Sequence, residues 1–110
     1  MKEKLIYSSF NHLQIKRMKD FDANAFIAPL YGFNMLNPWN YCLDINAAAT
    51  HPKHTQIRLI EDYVKNCHDR GIRVHVWTVN SEEDMRFLLD EGVDAIITNY
   101  PDIAITERDK

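Results

Sequence analysis

The chain lacks any hydrophobic run that approaches the length of a membrane span. A spanning helix needs about 20 consecutive apolar residues, and no such stretch occurs among the 110 residues. Leu5-Ile6-Tyr7, near the start, is also far too short for the apolar core of a signal peptide. We therefore expect no membrane span and a cytoplasmic location for this chain.

An excess of positive charge and a cysteine framework are also lacking. The 13 Lys and Arg residues against 16 Asp and Glu give a formal charge of −3, which disfavours a protein that follows nucleic-acid phosphates. Cys42 and Cys67 have no metal-like spacing and are too few for a disulfide scaffold. We expect two free, buried thiols in a reducing cytoplasm and no nucleic-acid partner.

The remaining composition is that of an ordinary globular domain. Apolar residues make up 45% and charged residues 26% of the chain, and its length suits one domain with a modest core. Repeats, low-complexity tracts and linkers are absent from the sequence. We therefore treat residues 1–110 as a single unit.

Hydrophobic periodicity predicts strands alternating with helices, which indicates the α/β class. We expect helices over 11–22, about 57–70 and 81–91, and an irregular crossing over 47–55. Strands are expected over 4–9, 25–31, 41–46, 72–79 and 95–98. Pro29 suggests a bend or an edge position in the second strand. The inward helix stripes are predicted to be Leu13, Met18 and Phe21, then Ile57, Ile60, Val64 and Cys67, then Met85, Leu88 and Leu89.

Residues 72–79 give the clearest strand pattern. Val74, Val76 and Thr78 alternate with His75, Trp77 and Val79, so the strand carries bulky side chains on both faces. Such a strand suits a parallel sheet whose other face is covered by helices. Polar residues follow where the predicted strands end, and that end is where ligands sit in parallel α/β proteins.

Four blocks of the sequence, in order, resemble the glycerophosphodiester phosphodiesterase family. They are I-Y-S-S-F-N from Ile6, H-P-K-H from His51 with its following helix, V-H-V-W-T-V-N from Val74, and G-V-D-A-I-I-T-N-Y-P from Gly92. The resemblance implies a (β/α) barrel that hydrolyses glycerophosphodiesters to glycerol phosphate and an alcohol, a reaction of lipid metabolism. It also implies a divalent metal, Ca or Mg, in the intact enzyme, with histidines as general acid and base.

The motifs that carry this chemistry in the family are H-R-G, E-x-D, H-D and I-E-x-K, and we expect none of them in its catalytic place here. H-R-G and I-E-x-K do not occur in the sequence, His68-Asp69 and Glu82-Glu83-Asp84 lie on predicted helices, and Glu107-Arg108-Asp109 lies in the tail. Glu61-Asp62 and Glu83-Asp84 lie on predicted helices instead. We therefore expect a chain that resembles the C-terminal part of the barrel, about five of its strands. We expect it to have no catalytic residue, metal ligand or cofactor of its own, and to be inactive alone. Two departures from the family pattern are the long crossing with Ala47-Ala48-Ala49, and Asn99 where Asp is common.

Phe10 and Trp77 are the candidate binding residues, because Phe10 lies at the end of one predicted strand and Trp77 lies near the carboxyl end of another, on the face that would point inward. By the resemblance they would wall a remnant pocket for a small phosphodiester or a polyol; the alternative is that both are core aromatics. Among the histidines, His75 is either a proton donor or a hydrogen-bonded core residue. His51 and His54 are either a metal pair or a solvated loop pair.

Two further polar groups have a structural alternative. Ser8 and Ser9 resemble a nucleophile, but no G-x-S-x-G turn surrounds them. Asp44 and Asn46 would alternate on one strand face, either as cation ligands or as a satisfied polar ladder.

A five-stranded part of a barrel has open edges and an uncovered inner face. Since burial of an apolar side chain contributes roughly 1.5–3 kcal/mol, we expect two copies to associate through their open edges as a homo-oligomer. The alternative to a phosphodiesterase part is therefore a non-catalytic, self-assembling half-barrel that serves binding or structure. A doubly wound receiver-like domain is a further alternative, although Ser8-Ser9-Phe10 stands where it needs an acidic cluster.

Overall fold

The computed structural model describes residues 6–99, and within them five strands are connected by five helices, two of which lie between the third and fourth strands. In chain order the elements are β1 (Ile6–Ser9), α1 (His12–Phe21), β2 (Phe26–Tyr31), α2 (Pro38–Asp44), β3 (Ala49–Pro52), α3 (Thr55–Leu59), α4 (Tyr63–Asp69), β4 (Arg73–Val76), α5 (Glu82–Glu91) and β5 (Ala95–Ile96). The predicted α/β class is confirmed.

The five strands form one parallel sheet in the order β1-β2-β3-β4-β5. Each strand therefore pairs with the next one along the chain, after a helical crossover. A doubly wound domain would reverse its strand order at a switch point, so the receiver-like alternative is wrong. Sequential order is that of a (β/α) barrel, and the predicted partial barrel of five strands is confirmed.

One face of the sheet packs against the helices and holds the main core. Val74 and Val76 point to this face, and Met85 and Leu88 of α5 cover them; all four are fully buried. Val79, which was predicted to share the face of Trp77, is fully buried in the same cluster. β4 ends at Val76, so the alternation of faces along the strand does not extend to Val79.

A hydrogen-bonded group of hydroxyls lies inside this core. The Tyr31 and Tyr63 hydroxyls bond to each other, and the Thr50 hydroxyl is 2.9 Å from that of Tyr63. Burial raises the pKa of Tyr31 to about 12 and raises that of Tyr63 further. Cys42 and Cys67 are buried free thiols in the same core, as predicted, and burial raises the pKa of each to about 12.

The predicted third strand was wrong in position. Residues 41–46 belong to α2 and the loop after it, whereas the strand is β3, Ala49–Pro52, inside the predicted irregular crossing. Pro38 opens α2, which suits the first turn of a helix. Small alanines carry little strand signal, but β3 is fully buried between two strands, and tertiary pairing decides its conformation.

The predicted helix over about 57–70 is broken into α3 and α4. The chain turns at Asp62, which has a positive φ of 54°. Ile57, Val64 and Cys67 are nevertheless buried, so the predicted stripe faces the core. Pro29 was also misread, because it lies buried in β2, between β1 and β3, and neither bends the chain out nor marks an edge.

The inward face predicted for α1 was wrong. Leu13 and Phe21 are 59% and 90% exposed, Met18 is half-buried, and Ile15 is the buried residue of this helix. The reason is position: α1 follows β1, at one edge of the sheet, so it has neighbours on one side only.

The ends of the helices predicted over 11–22 and 81–91 are confirmed. Asn11 caps α1 by accepting from the Gln14 amide at 3.2 Å, and Ser81 caps α5 by accepting from the Asp84 amide at 3.3 Å. Gly92 ends α5 with φ 89°, the left-handed conformation that favours glycine. The sequence also predicts a short helical tail after Tyr100-Pro101-Asp102, and this tail lies outside the described residues.

Candidate functional site

The two residues singled out from sequence meet at the carboxyl end of the sheet. Phe10 follows β1 and Trp77 follows β4, and their rings contact edge to face with centroids 5.7 Å apart. Phe10 is 63% exposed and Trp77 is half-buried. The two rings therefore form an aromatic ledge at the end where parallel α/β proteins bind ligands.

Three contacts fix the indole of this ledge. The Trp77 Nε1–H donates to the His51 carbonyl at 2.9 Å, and the Trp77 backbone pairs with Lys53 in a parallel bridge. The ring also lies beside Gly32, where an added Cβ would stand 3.6 Å from it. An indole anchored by its N–H keeps an apolar face for a ligand.

Below the ledge, a row of polar side chains crosses the face that does not contact the helices. The Ser8 hydroxyl is 2.9 Å from His51 Nδ1, and His51 Nε2 is 2.9 Å from His75 Nδ1. Both bonds use the nitrogens of His51, so its ring links β1 to β4 across the curved sheet. Because one nitrogen must donate and the other accept, the two imidazoles bond best when at most one is protonated.

Burial and the second imidazole keep His51 neutral. Desolvation, helped by His75, lowers the pKa of His51 to about 4, and desolvation also lowers that of His75. A histidine with so low a pKa is a poor general base at neutral pH. The three side chains therefore form an uncharged, hydrogen-bonded group on the inner face of the sheet, and His51 does not activate the Ser8 hydroxyl as a nucleophile.

This geometry decides several predicted alternatives. His75 is hydrogen-bonded to His51 on the inner face of the sheet, which agrees with its predicted alternative as a hydrogen-bonded core residue. His51 is 8% exposed and lies on β3, so the prediction of a solvated loop pair was wrong. The backbone amide of His54 donates to the Trp77 carbonyl at 2.8 Å, whereas the ring of His51 bonds Ser8 and His75. The polar ladder of Asp44 and Asn46 was wrong too, because neither lies on a strand.

Sequence reasoning missed two connections at this end of the sheet. The side-chain oxygen of Asn80 accepts from the Thr98 hydroxyl at 3.3 Å and from the Asn99 amide at 3.0 Å, which ties the end of β4 to the end of β5. The Ser8–His51 bond joins residues 43 apart in sequence. No spacing rule reveals such a contact before the barrel curvature is known.

Two cavities lie elsewhere. One of about 520 Å³ opens on the helix side where α3 breaks from α4, and Arg58, Asp62, Phe87 and Glu91 are among its walls. Another, of about 180 Å³, is lined by Ile6, Phe26 and Arg73 near the strands' amino ends. Neither of these two lies at the carboxyl end. We place the candidate site at the aromatic ledge because its two rings meet at that end of the sheet.

A divalent metal does not fit the side chains of this interior. Within residues 6–99 no three His, Cys, Asp or Glu side chains come close enough to hold an ion. The polar row offers two imidazoles that bond each other and one hydroxyl, whereas Ca and Mg prefer several oxygens. In the same part of the chain no helix is long and apolar enough to cross a membrane.

Comparisons with known proteins agree with this fold and with the blocks quoted above. The sequence model of the Glycerophosphoryl diester phosphodiesterase family matches residues 1–103. A glycerophosphodiester phosphodiesterase of Caldanaerobacter subterraneus is 35% identical over 103 residues, which are 94% of this chain and 42% of that relative. The chain thus spans about two fifths of the length of this curated relative.

Solved structures show the same fold. A glycerophosphodiester phosphodiesterase from Parabacteroides distasonis superposes with a TM-score of 0.82 at 24% identity, over 91% of this chain and 41% of that one. An Oleispira antarctica phosphodiesterase, solved with the product sn-glycerol-3-phosphate, gives 0.80 at 19% identity, over 100% of this chain and 44% of that one. The match to the family model over nearly the whole sequence makes this chain a member of the glycerophosphoryl diester phosphodiesterase family.

Proposed function

We propose that the chain forms the C-terminal part of a glycerophosphodiester phosphodiesterase barrel, and that it hydrolyses no diester by itself. The observation that carries this proposal is the aromatic ledge of Phe10 and Trp77 at the carboxyl end of an unclosed five-stranded sheet. A full barrel of this type has eight strands. The remaining strands would supply the acid–base and metal-binding groups.

The chain's own contribution would be to bind rather than to react. The anchored indole offers an apolar wall to the glycerol carbons of a small phosphodiester or polyol, and Phe10 closes one side. Beneath the ledge, the Ser8 hydroxyl and the second nitrogen of His75 could bond a ligand, whereas both nitrogens of His51 are already used within the row. In the whole enzyme this arrangement would hold the substrate while other groups perform hydrolysis.

An activity assay tests the first part. The purified chain is incubated with glycerophosphocholine, with and without Mg or Ca, and released sn-glycerol 3-phosphate is measured. We expect no release above the buffer blank. Metal-dependent release by the 110-residue chain would overturn the proposal.

A binding assay tests the second part. Titration with sn-glycerol 3-phosphate should give a saturable calorimetric signal that Trp77→Ala removes. Leu59→Ala, which shortens a 64% exposed side chain on α3, is the matched control and should leave the signal unchanged. Equal binding by Trp77→Ala would contradict the ledge as the binding wall.

A self-assembling module without substrate is the second candidate. It is favoured by the exposed Leu13 and Phe21 on α1, beside the β1 edge, and by the 47% exposed Ile97 beyond β5. A second copy that pairs with these edges would cover such side chains. Size-exclusion chromatography with light scattering should then give a dimer or larger at micromolar concentration, and a stable, folded monomer would remove this candidate.

A further inference from the structure

One ring nitrogen of His75 has no hydrogen-bond partner in the described part of the chain. Nδ1 of His75 lies 2.9 Å from Nε2 of His51, whereas Nε2 of His75 bonds nothing within residues 6–99. This nitrogen is accessible, because the buried side-chain atom without a partner in the same residues is Oε1 of Gln56. A free imidazole nitrogen either donates or accepts, depending on where the ring carries its proton.

The ring of His75 lies next to the anchored indole of the aromatic ledge. Trp77 follows β4, and its backbone still pairs with Lys53 in a parallel bridge, so the chain stays extended from His75 to Trp77. Residues two apart in an extended chain share a face of the sheet. His75 is half-buried, and a ligand that packs against the indole therefore lies within reach of its free nitrogen.

The imidazoles of His51 and His75 each carry one proton at neutral pH. Burial lowers the pKa of His51 to about 4 and also lowers that of His75, so both rings are uncharged. The hydrogen bonds of the row then decide where each proton lies. When the Ser8 hydroxyl donates to Nδ1 of His51, Nε2 of His51 donates to Nδ1 of His75, and Nε2 of His75 carries the proton of that ring. The reverse order places both imidazole protons on Nδ1.

The first of these two orders is the more favourable. A neutral histidine side chain in water carries its proton mainly on Nε2, and only the first order keeps both rings in this form. The first order also makes the free nitrogen of His75 a donor, whereas the reverse order leaves it with a lone pair. Hydrogen bonds from an N–H to an anionic oxygen are stronger than those between neutral groups. The free nitrogen therefore suits a phosphate oxygen.

We propose that Ser8 and His51 hold His75 as an Nε2–H donor, and that this N–H binds a phosphate oxygen of a glycerol phosphate ester. The glycerol carbons of the same ligand pack against Trp77. Ser8 and His51 are positioning residues, because they act through the tautomer of His75. The contact belongs to the binding site described under the proposed function, so it rests on that function.

NMR of the full chain with isotope-labelled imidazole nitrogens tests the proton positions without any variant. At neutral pH, His51 and His75 should each show a protonated Nε2 and an unprotonated Nδ1. Substituting the histidines one at a time with glutamine assigns the signals, since the sequence contains five. A His75 ring that carries its proton on Nδ1 would overturn the inference and leave the proposed function intact.

Ser8→Ala tests the positioning role. It removes the hydroxyl that begins the row, so both imidazoles should show a mixture of tautomers. The affinity for sn-glycerol 3-phosphate should fall about two-fold, because only the fraction of molecules with the proton of His75 on Nε2 binds. Ser8→Thr keeps a hydroxyl and is the matched control, which should restore both the tautomer and the affinity. Weaker binding by Ser8→Ala with an unchanged His75 tautomer would assign Ser8 itself to the ligand and overturn the positioning role.

Titration with sn-glycerol 3-phosphate tests the contact with the ligand. The Nε2 signal of His75 should shift with saturation, and His75→Phe should weaken binding about ten-fold or more. His68→Phe is the matched control and should bind like the unaltered chain, because His68 bonds Asp94 near the amino end of the sheet.

The titration separates failure of this contact from failure of the proposed function. Saturable binding that Trp77→Ala removes, but that leaves the His75 signal and the His75→Phe affinity unchanged, would overturn the contact alone. Absence of any binding by the unaltered chain would contradict both.

Discussion

The two faces of the sheet differ in how completely their side chains are buried. We call the face that packs against the helices the helix side, and the opposite face the barrel side. On the helix side, Ile27, Val74 and Val76 are fully buried, and the hydroxyls of Tyr31 and Tyr63 bond each other in the same core. On the barrel side, the imidazoles of His51 and His75 bond each other, while Phe10 and Ile97 remain 63% and 47% exposed. The same strands thus build a complete core on one face and a partial one on the other.

This difference follows from which contacts each face needs in order to be buried. Each βα unit brings its own helix to the outer face, so that core closes locally, strand by strand. A barrel interior closes only when the sheet meets itself around the axis. The helix side therefore holds most of the buried core, whereas the barrel side carries the candidate site and leaves Phe10 and Ile97 exposed.

The largest expected loss of stability comes from a substitution in the core on the helix side. Leu88→Ala removes a fully buried side chain of α5 and should cost about 2–5 kcal/mol of unfolding free energy, because a cavity remains. Phe10→Ala, on the barrel side, is the contrast and should cost less than about 1 kcal/mol. Urea denaturation of both variants measures the difference, and equal losses would contradict the asymmetry.

Acid should loosen the barrel side through His51. Its pKa is about 4 in the folded chain and 6.5 in the unfolded one. Between these values the unfolded state binds the additional proton, so stability is complete above pH 6.5 and falls as the pH drops toward 4. The loss should reach at most about 3 kcal/mol.

Unfolding midpoints at pH 7 and pH 4.5 measure this loss. His51→Gln should flatten that part of the pH dependence, since glutamine takes up no proton. His12→Gln is a control, because His12 bonds Tyr41 and the Leu30 carbonyl away from the row. An unchanged pH dependence in His51→Gln would contradict the assignment.

A smaller effect should follow from removing one hydroxyl on the helix side. Tyr63→Phe removes the hydroxyl that both Thr50 and Tyr31 bond and leaves these two only their own long contact of 3.4 Å, so it should cost about 1–3 kcal/mol. Tyr7→Phe, at a 42% exposed position, should change stability by less than about 0.5 kcal/mol. Thermal unfolding of both variants tests the contrast, and a neutral Tyr63→Phe would show that the group is not needed.

Sequence patterns predicted the elements whose signal is local. Asn11 and Ser81 mark helix starts because a cap needs only neighbouring amides, and Gly92 marks a helix end because of its backbone freedom. β4 was clear because bulky residues fill both of its faces. These features depend on residues a few positions apart, which a sequence shows directly.

The errors came from features that depend on tertiary position. Ala49 is small and gives little strand signal, yet it is buried in β3 because strands flank it. Leu13 fits an inward helix stripe but is exposed, since α1 lies at a sheet edge. The His51–His75 bond needs the sheet curvature, so a sequence pattern placed His51 in a loop. The residues of the ledge were found, but their mutual contact was not.

Deuterium exchange at increasing dilution tests most directly whether, in a monomer, the sheet edges lack hydrogen-bonding partners and the barrel side is uncovered. At the lowest concentration, the amides of β1 and β5 that point away from the neighbouring strand should exchange fast, while the amides of β3 stay protected. At high concentration, a covering copy should slow the edge amides alone. Edge amides as protected as those of β3, at every concentration, would contradict the account.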